Sequence, residues 1–154
     1  MSRIVSSVVE VCIFKFENDR ALYLLLHRSP KETVYPGIWQ FVTGSVEEGE
    51  RGPESALREL REETGLQPSG FWVVPYLSTF YEHLSDAVHL CPVFAAQVRP
   101  GDQPALSAEH DAFEWCAVAE ASGRLAWPGQ REALGIVHEY LVRGEKAAEV
   151  LKIF

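Results

Sequence analysis

A mixed α/β layered domain is the fold this chain predicts, rather than a doubly wound parallel sheet. Runs of β-branched and aromatic residues precede the helical stretches, and polar breaks between some of those runs read as hairpins. The 154 residues also suit one domain over 1–154, long enough to bury a core.

The elements follow in order. Residues 6–16 and 21–28 are predicted strands, and Glu17-Asn18-Asp19-Arg20 between them is a hairpin turn. Residues 29–36, with two prolines, form a loop before a short strand at 38–42. A Gly- and Glu-rich loop spans 44–52. Pro53 fits a first helical turn, residues 54–64 are strong helix formers, and Gly65 supplies a left-handed stop. Two further strands are expected at 71–81 and 88–99, the second closed by Pro100-Gly101. A loop carrying Glu109 and His110 leads to a strand at 113–116. Residues 128–143 read as an amphipathic helix with Leu134, Val137 and Leu141 on one stripe. The final Val150-Leu151-Lys152-Ile153-Phe154 is expected to dock either on a partner chain or on the chain's own core.

Composition narrows the function classes. Apolar residues make up 47% and charged residues 23%, values of a folded domain rather than a disordered one. No apolar run is long enough to span a membrane, and the first residues lack the pattern of a secretory signal. Cys12, Cys91 and Cys116 are isolated in apolar stretches, which predicts buried thiols in a reducing, cytoplasmic setting. A net charge of −8 argues against general nucleic-acid binding, though not against a phosphorylated small molecule bound through a cation.

The chemistry concentrates in residues 44–66. On a helix, Glu59, Glu62 and Glu63 fall within about a quarter turn, with Ala56, Leu57 and Leu60 on the neighbouring, sheet-facing side. Like charges at that spacing oppose helix formation, so a compensating cation is expected, and a hard divalent ion suits carboxylate oxygens. Glu50 lies on the preceding loop beside Glu47 and Glu48. Gly44 and Gly49 permit the loop to fold back, and Arg58 is placed to lock a carboxylate.

The order of these residues resembles the Nudix hydrolase signature: Gly, five residues, Glu, seven residues, Arg-Glu, aliphatic, any, Glu-Glu, any, Gly, aliphatic. Gly44, Glu50, Arg58, Glu59, Leu60, Glu62, Glu63, Gly65 and Leu66 fill every fixed position. The resemblance implies a Nudix fold, an α/β/α sandwich around a mixed β-sheet, with this loop and helix carrying the metals. By position it implies Glu59 and Glu63 as the firmest metal ligands, with Glu62 and Glu50 as further ligands or orienters. Mg²⁺ is the implied ion and Mn²⁺ a substitute.

Outside the motif, residues 39–50 look closest to a bacterial subgroup acting on dihydroneopterin triphosphate and deoxynucleoside triphosphates. Many family members carry Pro-Gly-Gly where this chain has Val42-Thr43-Gly44, a departure that the subgroup shares. The same resemblance implies Glu109 as a metal ligand or catalytic base and Arg28 as a phosphate contact. Thr43, Gly44 and His110 are further implied substrate contacts. Trp39, Phe80, Tyr81 and Trp127 are candidates both for stacking a ring and for packing the core.

The expected reaction is attack of water on a phosphorus of a nucleoside triphosphate or related nucleoside-diphosphate-linked compound, releasing pyrophosphate or a nucleotide. Glu62, Glu63 and Glu109 are the expected catalytic carboxylates. Two alternatives stand beside it: a dinucleoside polyphosphate or nucleotide-sugar hydrolase, and a non-catalytic nucleotide-sensing module. Monomer and homodimer are both compatible with the sequence.

Overall fold

Alternation along one strand explains the layering. The computed structural model describes all 154 residues. Its second strand, β2 (Val8–Glu17), sends Val9, Val11 and Ile13 to one face and Cys12 and Phe14 to the other. Each set is buried in its own cluster, because successive side chains on a strand point to opposite faces. The first cluster face is covered by Ala56 and Leu60 of α1 (Gly52–Thr64). The second is covered by Ala121 of α2 (Val118–Arg124) and by Ala133 and Leu134 of α3 (Pro128–Ile136). The result is the expected α/β/α sandwich.

The sheet is mixed. β1 (Arg3–Val5) and β2 both run parallel to β7 (Ala87–Gln97), while β6 (Gly70–Glu82) pairs antiparallel with it. β3 (Arg20–Arg28) joins β2 through the predicted hairpin, where Asn18 and Asp19 both take positive φ, at 50° and 60°. β8 (His110–Cys116) pairs antiparallel with β3. In β6 the register shifts between Val73 and Leu77, around Pro75, which has no N–H to give the ladder.

Several boundaries differ from expectation, each for a tertiary reason. The strand expected at 38–42 is two strands, β4 (Trp39–Gln40) on β3 and β5 (Val42–Ser45) on β2. The chain changes partners at Phe41, whose N–H donates to Gln130 Oε1 at 3.0 Å instead of to a strand. The helix expected over 128–143 ends at Ile136 and continues as a π-helical turn, Val137–Val142. There His138 Nδ1 meets the buried Tyr23 hydroxyl at 2.7 Å. No element predicted from the sequence corresponds to α2, α4 (Lys146–Leu151) or β1. His110, placed in a loop by the sequence, opens β8.

The C-terminal segment docks on its own core. Phe71 N–H donates to Phe154 O at 2.8 Å, and the two rings sit 5.7 Å apart. All three cysteines are buried and unpaired, as expected. No helix is long and apolar enough to cross a membrane.

Candidate active site

α1 begins with Pro53 in its first turn and stops at Gly65, which adopts φ 67° and donates its N–H to Arg61 O at 2.8 Å. Ala56 and Leu60, fully buried, fix the rotation of the helix on the sheet. That rotation carries Glu63 inward with them. Its carboxyl is only 3% exposed, and neither oxygen has a hydrogen-bond partner. Burial, together with the charges of Glu109 and Glu59, pushes the Glu63 pKa up to about 9, with Arg28 acting in the opposite direction. A buried carboxyl group with two unpartnered oxygens is costly unless something else binds it.

Glu59 packs against Gly44 so closely that a methyl group there would overlap its carboxyl. This close approach explains why glycine suits the first position of the motif. Burial raises the Glu59 pKa, while Arg58 works against that shift.

Arg58 organises the motif's outer carboxylates. Its guanidinium donates to both oxygens of Glu50 at 2.9 and 3.0 Å, to Glu59 at 2.9 Å and to Glu62 at 3.1 Å. It also donates to Ser45 O at 2.8 Å, which ties the helix to β5. Hydrogen bonds from Arg58 and from the Glu47 N–H hold the Glu50 carboxyl down at about 2. Gly49, at φ 80°, makes the turn that brings Glu50 back toward Arg58. Glu50 is therefore already occupied by a cationic partner, and Glu62 is exposed and ion-paired to the same arginine.

Glu109 arrives from a separate loop that is strapped to the end of α1. Ala105 N–H donates to Thr64 O at 2.8 Å, and Ser107 N–H to Glu63 O at 3.3 Å. On the other side Ser29 N–H donates to Glu109 O at 2.8 Å. Arg28 Nη1 lies 3.8 Å from the Glu109 carboxylate, and Arg28 Nε donates to Val34 O at 2.6 Å. Glu63, Glu59, Glu109 and Arg28 thus share one electrostatic neighbourhood.

The His110 ring is fully enclosed, with Nδ1 3.9 Å from Glu63 and Nε2 3.4 Å from the Gln40 amide. Pairing of β8 with β3 draws it inward, and burial with the Arg28 charge lowers its pKa to about 4, so the ring is neutral. Thr43 faces the other side of the sheet, where its hydroxyl donates to Phe41 O at 3.2 Å and receives Gln130 Nε2 at 3.3 Å.

Among the aromatic candidates, Phe80 stacks on His89 and Trp39 packs near His27 and Arg124. Tyr81 is exposed, and Trp127 meets Tyr35 edge-on at 4.8 Å. The sequence reading passed over Glu10 and Gln130. A lone acid inside the apolar β2 run was the available signal for the first. A long polar side chain two residues after the helix-opening Pro128 was the signal for the second.

The residues fit a divalent cation. Glu63 offers two unpartnered, buried oxygens, and Glu59 and Glu109 add negative charge beside it. The donor set is all oxygen, the preference of Mg²⁺ or Mn²⁺. A tighter trio of ligand atoms, Glu114, Cys116 and Glu120, lies elsewhere, and Arg124 already pairs with both of its carboxylates at 3.1 and 3.0 Å.

The molecule is an α/β/α sandwich in which one helix presents carboxylates against a glycine of the central sheet. The NUDIX domain profile matches residues 7–138, and the chain belongs to the Nudix family. It is 37% identical over 133 residues to an octanoyltransferase of Myxococcus xanthus, covering 82% of this chain and only 35% of that protein. It is 32% identical over 116 residues to the CTP pyrophosphohydrolase of Escherichia coli K12, covering 74% of this chain and 79% of that one. Its fold matches the E. coli dihydroneopterin triphosphate pyrophosphohydrolase with a TM-score of 0.68 at 24% identity, over 90% of this chain and 99% of the other.

Proposed function

We propose that the chain is a Mg²⁺-dependent pyrophosphohydrolase. It would cleave a phosphoanhydride bond of a nucleoside triphosphate or related nucleoside-diphosphate-linked compound. The observation that carries the reading is Glu63, a buried carboxyl with both oxygens unpartnered on a helix that keeps every motif acid. The similarity to a CTP pyrophosphohydrolase over most of both chains supports the same reaction class.

Glu59, Glu63 and Glu109 would hold the cation, with Glu62 and Glu50 as outer ligands or orienters. When bound, the ion supplies charge neutralisation of the phosphates and a lowered pKa for water. Arg58 keeps Glu50 ionised, pairs with Glu62 and points Glu59 toward the sheet glycine. A carboxylate not saturated by the cation, the exposed Glu62 or the half-exposed Glu109, would take a proton from the attacking water. Arg28 beside Glu109 offers its charge to the departing phosphate oxygens.

Turnover across nucleoside triphosphates, dinucleoside polyphosphates and nucleotide sugars, with Mg²⁺ and with EDTA, tests the reading. Chromatography should show a nucleoside monophosphate and pyrophosphate from a triphosphate. Glu63→Gln should fold and lose most of the turnover, and near-normal activity in that variant would refute the assignment.

A further inference from the structure

Three polar side chains are buried in a row behind the motif helix. Gln40 on β4, His110 at the start of β8 and Glu63 on α1 are 5%, 4% and 3% exposed. Gln40 lies opposite Leu26 in the β4–β3 ladder, and Leu26 belongs to the cluster under α1, so Gln40 faces α1 as well. His110 pairs with Arg28 on the other edge of β3. Gln40 Nε2 is 3.4 Å from His110 Nε2, and His110 Nδ1 is 3.9 Å from Glu63 Oε2.

Backbone bonds fix the spacing of the row. Ser107 N–H donates to Glu63 O at 3.3 Å, and His110 N–H donates to Ser107 O at 3.3 Å. His110 is thereby strapped to the last turn of α1, next to the carboxyl its ring faces.

The row also has a direction. An amide nitrogen only donates, so the Gln40 NH₂ requires a lone pair on His110 Nε2. That puts the single ring proton on Nδ1, the nitrogen turned to Glu63. The other tautomer would set hydrogen against hydrogen at Gln40 and a lone pair against the Glu63 carboxyl. Nδ1 has no hydrogen-bond partner, and neither has either oxygen of Glu63, so this donor and this acceptor have only each other. At 3.9 Å the contact is longer than a closed hydrogen bond, and contacts of this kind shorten as a catalytic site takes up its ligands.

We propose that His110 is a positioning residue for the metal site: its Nδ1–H, kept on that nitrogen by Gln40, holds one oxygen of Glu63 and leaves the other to the cation. The inference rests on the hydrolase reading, in which Glu63 is a metal ligand. A side chain that orients a ligand from behind typically changes metal affinity about 10- to 100-fold when it is removed.

Two measurements on the intact chain test it. Long-range ¹H–¹⁵N NMR reads the His110 tautomer, and the wild type should carry the ring proton on Nδ1. Calorimetric titration with Mg²⁺ alone reads the other end of the row. His110→Leu removes the donor and should weaken Mg²⁺ binding by about 10- to 100-fold. His110→Asn returns an N–H donor near the Nδ1 position and should recover most of that loss. A role in packing alone predicts the reverse order, because leucine fills the enclosure and asparagine leaves a void. An Nε2–H tautomer in the wild type would overturn the proposal without needing any variant to fold. So would unchanged Mg²⁺ affinity in a folded His110→Leu, or equal losses in the two variants. Lost turnover in Glu63→Gln beside an Nε2–H tautomer would sink only the His110 assignment. Normal turnover in Glu63→Gln would sink the hydrolase reading itself.

Discussion

Replacing Glu63 by glutamine should stabilise the metal-free protein while disabling it. The wild-type carboxyl has an ordinary pKa of 4.5, raised to about 9 in the folded chain. Between those values the folded state keeps a proton that the unfolded state has released, so stability is whole below about pH 4.5 and is lost as pH rises toward 9. Each pH unit in that window costs about 1.4 kcal/mol, or about 3 kcal/mol from pH 5.5 to 8. In a chain of this size that corresponds to a Tm shift of about 6–12 °C. Glutamine keeps the shape without the titration. Urea or thermal unfolding in EDTA, followed from pH 5.5 to 8, should show a steep fall for the wild type and a shallower one for Glu63→Gln. Excess Mg²⁺ should then raise the stability of the wild type by about 2–3 kcal/mol at a hundred times its Kd, and that of the variant by much less. Parallel pH profiles for the two proteins in EDTA would refute the argument that burial strains Glu63 while the metal is absent.

Four more outcomes are expected. Gly44→Ala should keep the fold but push the Glu59 carboxyl aside, lowering kcat about 10²-fold, as measured by steady-state pyrophosphate release. Arg58→Lys keeps one charge but loses the fork that spans Glu50, Glu59 and Glu62. Carboxyl-detected NMR should then show the Glu50 pKa climbing from about 2 toward the ordinary carboxylate range. Glu10→Gln should remove a second, separate part of the pH dependence, because the folded pKa of about 7 exceeds 4.5 and the associated stability is lost as pH rises between those values. Its effect amounts to about 3 kcal/mol and ends near neutrality, where Glu63 continues to titrate. Phe154→Ala should cost about 1–2 kcal/mol in urea unfolding, since that half-exposed ring packs on Phe71 at the end of β6.

Local patterns were legible in the sequence, and distant partners were not. Asn18-Asp19 specify their turn, Pro53 and Gly65 bracket α1, and Ala56 with Leu60 orient it, all through interactions a few residues long. The break at Phe41 depends on Gln130, and the burial of His110 depends on which strand β8 joins. β1 exists because three residues find β7 far along the chain, a pairing that no local propensity announces. The same division holds in the site. Spacing along one helix places Glu59, Glu62 and Glu63 together. What turns Glu63 inward, and Glu50 and Glu62 onto Arg58, is the sheet beneath the helix and the fold-back of its loop.

Where this fold leaves buried polar groups unpaired is itself informative, because elsewhere it provides for them. The enclosed Lys15 reaches Glu17 at 3.3 Å and lies 4.3 Å from the Trp115 ring centre. Tyr23 finds His138, and both ends of the Gln130 amide are engaged. The unpartnered atoms fall on Glu63, Ser107 and His110 around the end of α1, on Glu10 across the sheet, and on His89. His89 stacks on Phe80 with Glu82 at 3.6 Å, a surface arrangement with no bearing on the motif. Of the others, Ser107 and Glu63 are joined by a backbone hydrogen bond at the end of α1, His110 opens β8 beside Glu63, and Glu10 pairs with Thr43. Folding alone would favour an apolar replacement at Glu63, since an unpaired buried carboxyl only subtracts from stability. That cost is recovered only if a binding partner arrives after folding, and for two unpartnered carboxylate oxygens a cation is that partner.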